Sequence, residues 1–448
     1  MSTAVFVAVP DGRTVHAGEL DLTFSSAGVL LSSRFTYAAA YLADPTSYDL
    51  CPEMPRGTRA VVSGPHRPLL GAFADSQPDT WGRRLIYAAE AREATEAGRS
   101  ARTMTELDFL LSVPDSSRLG ALRLSTDAGR TFVATTRTGL PTLADLDALT
   151  SAAANVERHQ ANRSDLDLLL AAGTSMGGAR PKATVRDETG ELWMAKLPER
   201  DDRWDVLGWE YVTLQLANAA GINTPTAALR RLSADRSIML TRRFDRTEAG
   251  RRIGYLSADS ITEKGPHETI DYTWLAESIA DHSDRPRRDL AELFRRVAFT
   301  LLVRNVDDHM KNHGVLRTAG GWTLSPLFDV NPHPVHQAIQ STPLTSSDSG
   351  VERDIRMLVD SADSYDLSTA DARRIVGEVE HATSMWRSFA ALADLDLEAV
   401  EFMAGAFEGP NREHARALAD GGSAQPPHQR PRAGGRDEQG RFSPASSS

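Results

Sequence analysis

The stretch VDDHMKNHGVLRTAGGWTLSPLFD, residues 306–329, is the most informative part of this sequence. Asp307 is followed five residues later by Asn312, and Asp329 comes seventeen residues after that, at the end of a run of strand-like residues. Carboxylate and amide oxygens are the ligands that Mg²⁺ prefers in proteins. The spacing therefore predicts a magnesium site formed by Asn312 and Asp329, with Asp307 close to it.

The same order of residues is found in the catalytic loop of protein kinases. There the first Asp orients the acceptor hydroxyl, and the Asn and the later Asp hold magnesium against the nucleotide phosphates. Asp308 is a competing candidate for the base, but Asp307 has the kinase separation from Asn312. An amphipathic helix predicted over residues 289–303 ends just before this loop and would support it rigidly.

A second set of residues lies upstream and predicts a nucleotide-anchoring region. A predicted strand starting at Glu191 carries Lys196 in its interior, where a lysine is costly unless it is paired. Glu210, fourteen residues later in a predicted helix, is a suitable partner. The preceding loop, Gly177–Lys182, can cradle phosphates with its backbone N–H groups and with Lys182. By itself the loop is also typical of a hairpin turn, and Lys196 and Glu210 are also typical of a surface ion pair. The order of loop, strand lysine and helix glutamate along the chain favours a kinase small lobe.

Composition limits the possible classes of function. The chain has 448 residues, 41% hydrophobic and 25% charged, which allows two or three globular domains. Its net charge of -11 argues against a broad nucleic-acid-binding surface, so that any DNA contact would need a basic partner. The single cysteine, Cys51, excludes an internal disulfide framework. No export signal or long apolar run is evident, which predicts a cytoplasmic chain without membrane contact.

The predicted fold is α+β and bilobal, like that of protein kinases. Residues 1–125 are predicted to form a β-rich amino-terminal subdomain, and residues 126–246 a mixed α/β small lobe with the ATP loop and the hinge. Residues 247–420 are predicted to form an all-α large lobe with the catalytic loop. The last stretch, residues 421–448, is rich in Gly, Pro, Ser and Arg and is predicted to be a disordered tail.

Several ordered motifs link the chain to a known family: FADSQPDTWGRRLI (73–86), SSRLGALRL (116–124), SMGGARPK (175–182), MAKLP (194–198), RRFDR (242–246), NVDDHMKNH (305–313) and SPLFDVNP (325–332). Together they resemble the HipA family of toxin serine/threonine kinases from bacterial type II toxin-antitoxin systems. The resemblance covers nearly the whole chain. It implies an ATP- and Mg²⁺-dependent kinase with Asp307 as catalytic residue. Asn312 and Asp329 would be the metal ligands, and Lys196, paired with Glu210, would bind the ATP phosphates.

The resemblance also implies a wider nucleotide site. Its members would be Gly177, Gly178, Ala179, Arg180, Pro181 and Lys182 over the triphosphate, Arg242, Arg243 and Phe244 at the adenine, and His309, Lys311 and Asn312 near the phosphates. The family usually has Glu where Arg242 stands, which leaves the adenine contact to the backbone. Ser175 occupies the position of the family's autophosphorylation site, and a phosphate there would repel the nucleotide and switch the kinase off.

Partners follow from the same resemblance. It implies a HipB-like DNA-binding antitoxin, through which alone the chain would reach DNA, and a translation-related protein substrate such as an aminoacyl-tRNA synthetase. Two other functions remain open at this point. One is a kinase-like binding protein that acts as co-repressor with the antitoxin, against which the intact catalytic set argues. The other is a small-molecule kinase with the same ATP-binding residues, which only an acceptor screen separates from a protein kinase.

Overall fold

The computed structural model describes residues 2–64, 66–134, 139–173, 178–262, 269–334, 341–351 and 353–421. The predictions for Ser175, for Gly177 and for the tail beyond residue 421 lie outside these residues. Within the described ranges, none of the helices has both the length and the apolar character needed to cross a membrane.

The amino-terminal part is built on an antiparallel sheet with strand order β4-β3-β2-β1-β5. Strand β1 is buried along nearly all of its length, and in the second half of β3 buried residues alternate with more exposed ones, as the strand period of two requires. The elements are β1 (Thr3–Ala8), β2 (Thr14–Phe24), β3 (Leu30–Tyr37), α1 (Ala39–Ala43), β4 (Val61–Val62), α2 (Gly71–Ala74), α3 (Thr80–Glu96), α4 (Glu106–Ser112) and β5 (Leu122–Ser125).

The next part contains a second antiparallel sheet, with strand order β6-β7-β9-β8. Its first two strands pair so that Lys182 lies directly opposite Lys196. The elements are a 3₁₀ turn (Leu143–Asp145), α5 (Leu146–Glu157), α6 (Arg163–Ala171), β6 (Lys182–Arg186), β7 (Leu192–Lys196), α7 (Val206–Ala219), β8 (Ala227–Ser233) and β9 (Arg236–Arg242).

The last part is mainly helical. Its elements are β10 (Tyr255–Ser257), α8 (Ala258–Ile261), α9 (Tyr272–His282), α10 (Pro286–Leu302), a 3₁₀ turn (Met310–Asn312), β11 (Gly314–Arg317), β12 (Trp322–Leu324), α11 (Ile355–Asp360), a 3₁₀ turn (Ala362–Tyr365), α12 (Thr369–Ser384), α13 (Trp386–Leu392), α14 (Leu397–Phe407) and α15 (Pro410–Ala419).

The description of this lobe as all-α needs one correction. Strands β10, β11 and β12 form a small antiparallel sheet within it. The strand-like run between Asn312 and Asp329 folds into a hairpin, in which Thr318 N–H donates to the Gly321 carbonyl at 2.9 Å. This hairpin carries the chain from one predicted magnesium ligand to the other.

The hydrophobic core joins the amino-terminal part to both lobes. Phe35 of β3 and Phe294 of α10 belong to one continuous cluster of buried residues. Trp81 and Leu85 of α3 belong instead to a second cluster, which includes Val185 of β6. Because apolar burial is the main favourable term in folding, the amino-terminal part is stabilised by its contacts with the rest of the chain.

A buried group of charges connects the segment after β9 to the loop before β5. We call it the Asp245 cluster: the Asp245 carboxylate accepts hydrogen bonds from Arg243, from Arg246 and, at 2.8 Å, from Gly120 N–H. Arg243 also donates to the Ser117 carbonyl at 2.8 Å. Burial would raise the pKa of Asp245, but the two guanidinium groups outweigh it and lower that pKa. The carboxylate is therefore ionised and fully paired.

Candidate nucleotide-binding site

A cavity of about 900 Å³ lies between the second sheet and the helical lobe. It is large enough for a ligand the size of a nucleotide. All three parts of the chain contribute to its wall. The lining residues include Asp79, Arg83, Gly178, Ala179, Arg180, Lys182, Lys196, Arg242, Arg243, Phe244, Asp307, His309, Lys311, Asn312, Phe328 and Asp329.

Lys196 is buried at the end of β7 and is held by two carboxylates. Its Nζ lies 2.5 Å from Glu210 Oε1 of α7 and 2.5 Å from Asp329 Oδ1. Burial would lower the pKa of Lys196, but the charges of Asp329 and Glu210 outweigh this effect and raise it. The structure thus brings together the lysine and glutamate that the sequence suggested, and adds Asp329 as a shared partner.

Asp329 follows the hairpin and has a left-handed backbone conformation, with φ of +58°. This conformation is unusual for a residue other than glycine and is concentrated at functional sites. Burial would raise the pKa of the Asp329 carboxyl, but the ammonium groups of Lys196 and Lys182 lower it below its ordinary value. The carboxylate is therefore anionic at neutral pH, as a ligand of a divalent cation must be.

Asn312 presents an oxygen to the same cavity. Its Nδ2 donates to the Asp307 carbonyl at 2.9 Å, which leaves Oδ1 available as an acceptor. Asn312 and Asp329 thus offer one amide and one carboxylate oxygen, the hard donors that Mg²⁺ takes. These two residues fit the magnesium site that the sequence predicts.

The adjacent residues Asp307 and Asp308 lie in opposite environments. The Asp307 side chain is 81% exposed and lines the cavity, and the Asp308 side chain is 1% exposed. Asp308 accepts hydrogen bonds from Tyr272 Oη at 2.6 Å and from Arg353 Nη1 at 2.5 Å, and its other oxygen lies 3.0 Å from His313 Nε2. Asp307 is therefore the carboxylate that an acceptor hydroxyl can reach.

The charges around Asp308 form a second buried group, the Asp308 cluster, which consists of Asp308, Tyr272, His313 and Arg353. Burial would raise the pKa of Asp308, but Arg353 and His313 lower it well below its ordinary value. Arg353 also donates to the Asn305 carbonyl at 2.8 Å, so that it holds the start of the loop as well. Among the described residues, His313 Nδ1 has no hydrogen-bond partner.

Gly178, in the loop that precedes β6, approaches the lysines closely. Gly178 has φ of +95°, and a Cβ at this position would lie 3.0 Å from Lys182 Nζ and 3.8 Å from Asp329 Oδ2. Only glycine fits here without displacing the ammonium group. Arg180, which was expected near the triphosphate, lies in the cavity wall, but both its terminal nitrogens are bound by Asp202, at 2.8 and 2.7 Å.

The three residues expected at the adenine line the cavity, but their side chains have different surroundings. Arg243 cannot bind a nucleotide with its side chain, because its guanidinium is fully buried in the Asp245 cluster. Arg242 is paired with Glu191 at 2.5 Å. Phe244 remains available: it lines the cavity, and its ring centroid lies 5.5 Å from that of Phe328. The structure thus offers aromatic side chains at this end of the cavity, and His309 and Lys311 lie in its wall near Asp307.

One residue of the cavity wall was missed by the sequence reasoning. The Asp79 carboxylate lies 3.0 Å from Lys182 Nζ, and both side chains are nearly fully buried. Asp79 also caps α3, because its carboxylate accepts a hydrogen bond from Gly82 N–H at 2.6 Å at the start of this helix. Burial raises its pKa even though Lys182 opposes this effect.

Comparison with known proteins gives one matching family model. The model of the HipA-like C-terminal domain matches residues 174–386, which include the ATP loop, Lys196, Asp307 and Asp329. This part of the chain is similar to the HipA-like C-terminal domain. No curated protein matches the chain.

The HipA likeness extends beyond that domain in the fold. HipA of Shewanella oneidensis MR-1, solved in complex with HipB and its operator DNA, has a TM-score of 0.62 at 13% sequence identity, over 94% of this chain and 97% of that one. The predicted HipA-like α+β fold is thereby confirmed. The proinflammatory kinase CtkA of Helicobacter pylori is less similar, with a TM-score of 0.42 at 16% identity over 55% of this chain and 92% of that one.

Proposed function

We propose that this protein is an ATP- and Mg²⁺-dependent serine/threonine protein kinase and the toxin of a type II toxin-antitoxin system. The observation that supports this most directly is that one cavity contains Lys196, Asp307, Asn312 and Asp329. Each has the chemistry and surroundings that phosphoryl transfer needs: a fixed cation, an accessible carboxylate and two oxygen donors.

The proposed mechanism depends on position and charge. Lys196, held by Glu210, binds and neutralises phosphate oxygens, and Lys311 adds positive charge on the other wall of the cavity. Asp307 accepts a hydrogen bond from the acceptor hydroxyl, aligns its oxygen with the γ-phosphorus and takes up its proton. Mg²⁺, when bound by Asn312 and Asp329, supplies further positive charge against the phosphates.

The proposal includes partners. We infer a HipB-like antitoxin, because the net charge of -11 makes direct DNA binding unfavourable and the Shewanella HipA was solved with HipB and operator DNA. The proposed substrate is a serine or threonine of a cytoplasmic, translation-related protein, such as an aminoacyl-tRNA synthetase. The proposed self-modification at Ser175 would place a phosphate on the ATP loop, where it would repel the nucleotide phosphates.

The test compares wild type with the Asp307→Ala and Ser175→Ala variants. Each is incubated with γ-labelled ATP and Mg²⁺, and each is also expressed in bacteria for phosphoproteomics. We expect transfer to protein and growth arrest with wild type, neither with Asp307→Ala, and loss of self-labelling alone with Ser175→Ala.

The outcomes separate the candidate functions. Transfer that persists in Asp307→Ala would contradict the role of Asp307. Tight nucleotide binding without transfer to any acceptor would favour a co-repressor protein. Transfer to a small molecule but to no protein would identify a small-molecule kinase.

A further inference from the structure

The two lysines of the cavity are neighbours in the sheet. Lys182 and Lys196 are directly opposite residues of the antiparallel pair β6 and β7. Like charges in such a pair repel each other, and both of these side chains are buried. A buried ammonium group needs a carboxylate, so two partners are required at this place.

The two lysines receive these partners from different parts of the chain. Lys196 is paired with Glu210 of α7, which lies within the HipA-like domain. Lys182 is paired with Asp79, which precedes α3 and lies outside residues 174–386. Asp79 and Lys182 are 103 residues apart in the sequence. In both pairs the lysine belongs to a strand, and the carboxylate that binds it belongs to a helix or to the residue before a helix.

We propose that Asp79 positions Lys182 for binding the phosphates of the nucleotide, so that the amino-terminal part of the chain completes the site with a second lysine–carboxylate pair. This inference rests on the proposed function, since it requires that the cavity binds a nucleoside triphosphate. Asp79 is a positioning residue, because it acts through Lys182.

The geometry favours positioning over competition with the phosphates. The other Asp79 oxygen is bound to Gly82 N–H, which fixes the carboxylate at the start of α3. An ammonium group has three donors, so Lys182 can keep its bond to Asp79 and donate to a phosphate as well. Gly178 has no side chain, so that no Cβ lies against the ammonium group on this side, and Lys182 lines the cavity.

The test is Asp79→Asn, which removes the charge but keeps the helix cap, since Asn and Asp cap helices about equally well. Binding of ATP and of adenosine is measured for each protein. We expect ATP to bind about tenfold more weakly, equal to about 1.4 kcal/mol, and adenosine to bind as in wild type. The KM for ATP should rise with little change in kcat. A merely structural role would weaken both ligands or lower kcat.

Two further variants make the test specific. Asp396→Asn changes another helix cap, which accepts from Ala399 N–H at 2.8 Å outside the cavity lining, and should leave ATP binding unchanged. In a Lys182→Met background, Asp79→Asn should cause no further loss of ATP affinity, because the lysine it positions is gone. If Asp79→Asn does not fold, Asp79→Ser keeps a capping oxygen and replaces it.

The result that overturns the inference is ATP binding by Asp79→Asn that equals or exceeds that of wild type. Additive losses in the double variant would also overturn it. Failure of wild type to bind ATP at all is a different result, because it would refute the proposed nucleotide site itself.

Discussion

The loop that contains Asp307 and Asp308 has one side that faces the cavity and one side that is buried. On one side the exposed Asp307 carboxylate faces the cavity, and His309 Nε2 lies 3.8 Å from it. On the other side Asp308 is surrounded by the Asp308 cluster and is almost inaccessible. Two adjacent aspartates can therefore have different roles: one is exposed where an acceptor can reach it, and the other is buried and supports the loop. The exposed carboxylate is expected to determine rate, and the buried one stability.

The largest expected effect is on activity. Asp307→Ala should lower the rate of phosphoryl transfer by about 100- to 10,000-fold, the range for loss of a general base. Its free energy of unfolding should change by less than about 0.5 kcal/mol, because the side chain is exposed. Labelled transfer and urea unfolding measure the two quantities. A strong loss of stability would show that Asp307 is structural and would remove the contrast with Asp308.

The reverse pattern is expected for Asp308→Asn. The variant leaves the buried Arg353 without its carboxylate, and removing one partner of a buried ion pair costs about 3 to 5 kcal/mol. Urea unfolding of this variant and of wild type at neutral pH measures the difference. Any loss of activity should be smaller than that of Asp307→Ala when both are assayed under conditions where the protein is folded. Unchanged stability would mean that the Asp308 cluster does not support the loop.

The stabilising effect of Asp308 should depend on pH. Its pKa is lower in the folded protein than in the unfolded chain, where it is about 3.9. The ionised carboxylate therefore stabilises the folded state above the unfolded pKa, and this contribution is lost as the pH falls through the folded pKa. The difference in unfolding free energy between wild type and Asp308→Asn should be constant from neutral pH to about pH 5 and shrink below about pH 4. A difference that grew in acid would contradict this sign.

A smaller effect is expected for Tyr272→Phe, which removes only one hydroxyl of the Asp308 cluster. The lost hydrogen bond to the ionised Asp308, 2.6 Å long, should cost about 1.5 kcal/mol of stability. Thermal unfolding is the measurement, and Tyr87→Phe, at an exposed position of α3, is a matched control. An equal loss in both variants would show that the effect is not specific to the cluster.

The sequence predicts those parts of the site that follow one another at short separations. Only a turn or parts of neighbouring elements separate Lys196 from Glu210 and Asp307 from Asn312. The order of the residues therefore indicates that the members of each pair lie close together. Asp79 and Arg353 were missed because their partners are 103 and 45 residues away and belong to other elements. No local pattern specifies such contacts, which depend on how the elements pack.

The direction of a side chain in the predicted hinge, residues 242–246, could not be predicted from the sequence. The resemblance implied a place for Arg243 at the adenine, and the structure shows its side chain turned into the Asp245 cluster. A buried arginine needs a carboxylate and carbonyl acceptors, and the loop before β5 supplies carbonyls that the local sequence does not reveal. The main sheets and most helices were predictable because their apolar periodicity is local, whereas the direction of Arg243 is decided by a distant segment.

The Asp245 cluster has a practical consequence for dissecting the molecule. Residues 174–386 are the segment recognised by family comparison, yet Arg243 and Asp245 within it are hydrogen-bonded to Ser117 and Gly120 outside it. A truncated protein limited to that segment would expose these charges together with the apolar surface that the amino-terminal sheet covers. Such a fragment is expected to aggregate on expression, and the smallest autonomous unit should begin before β1.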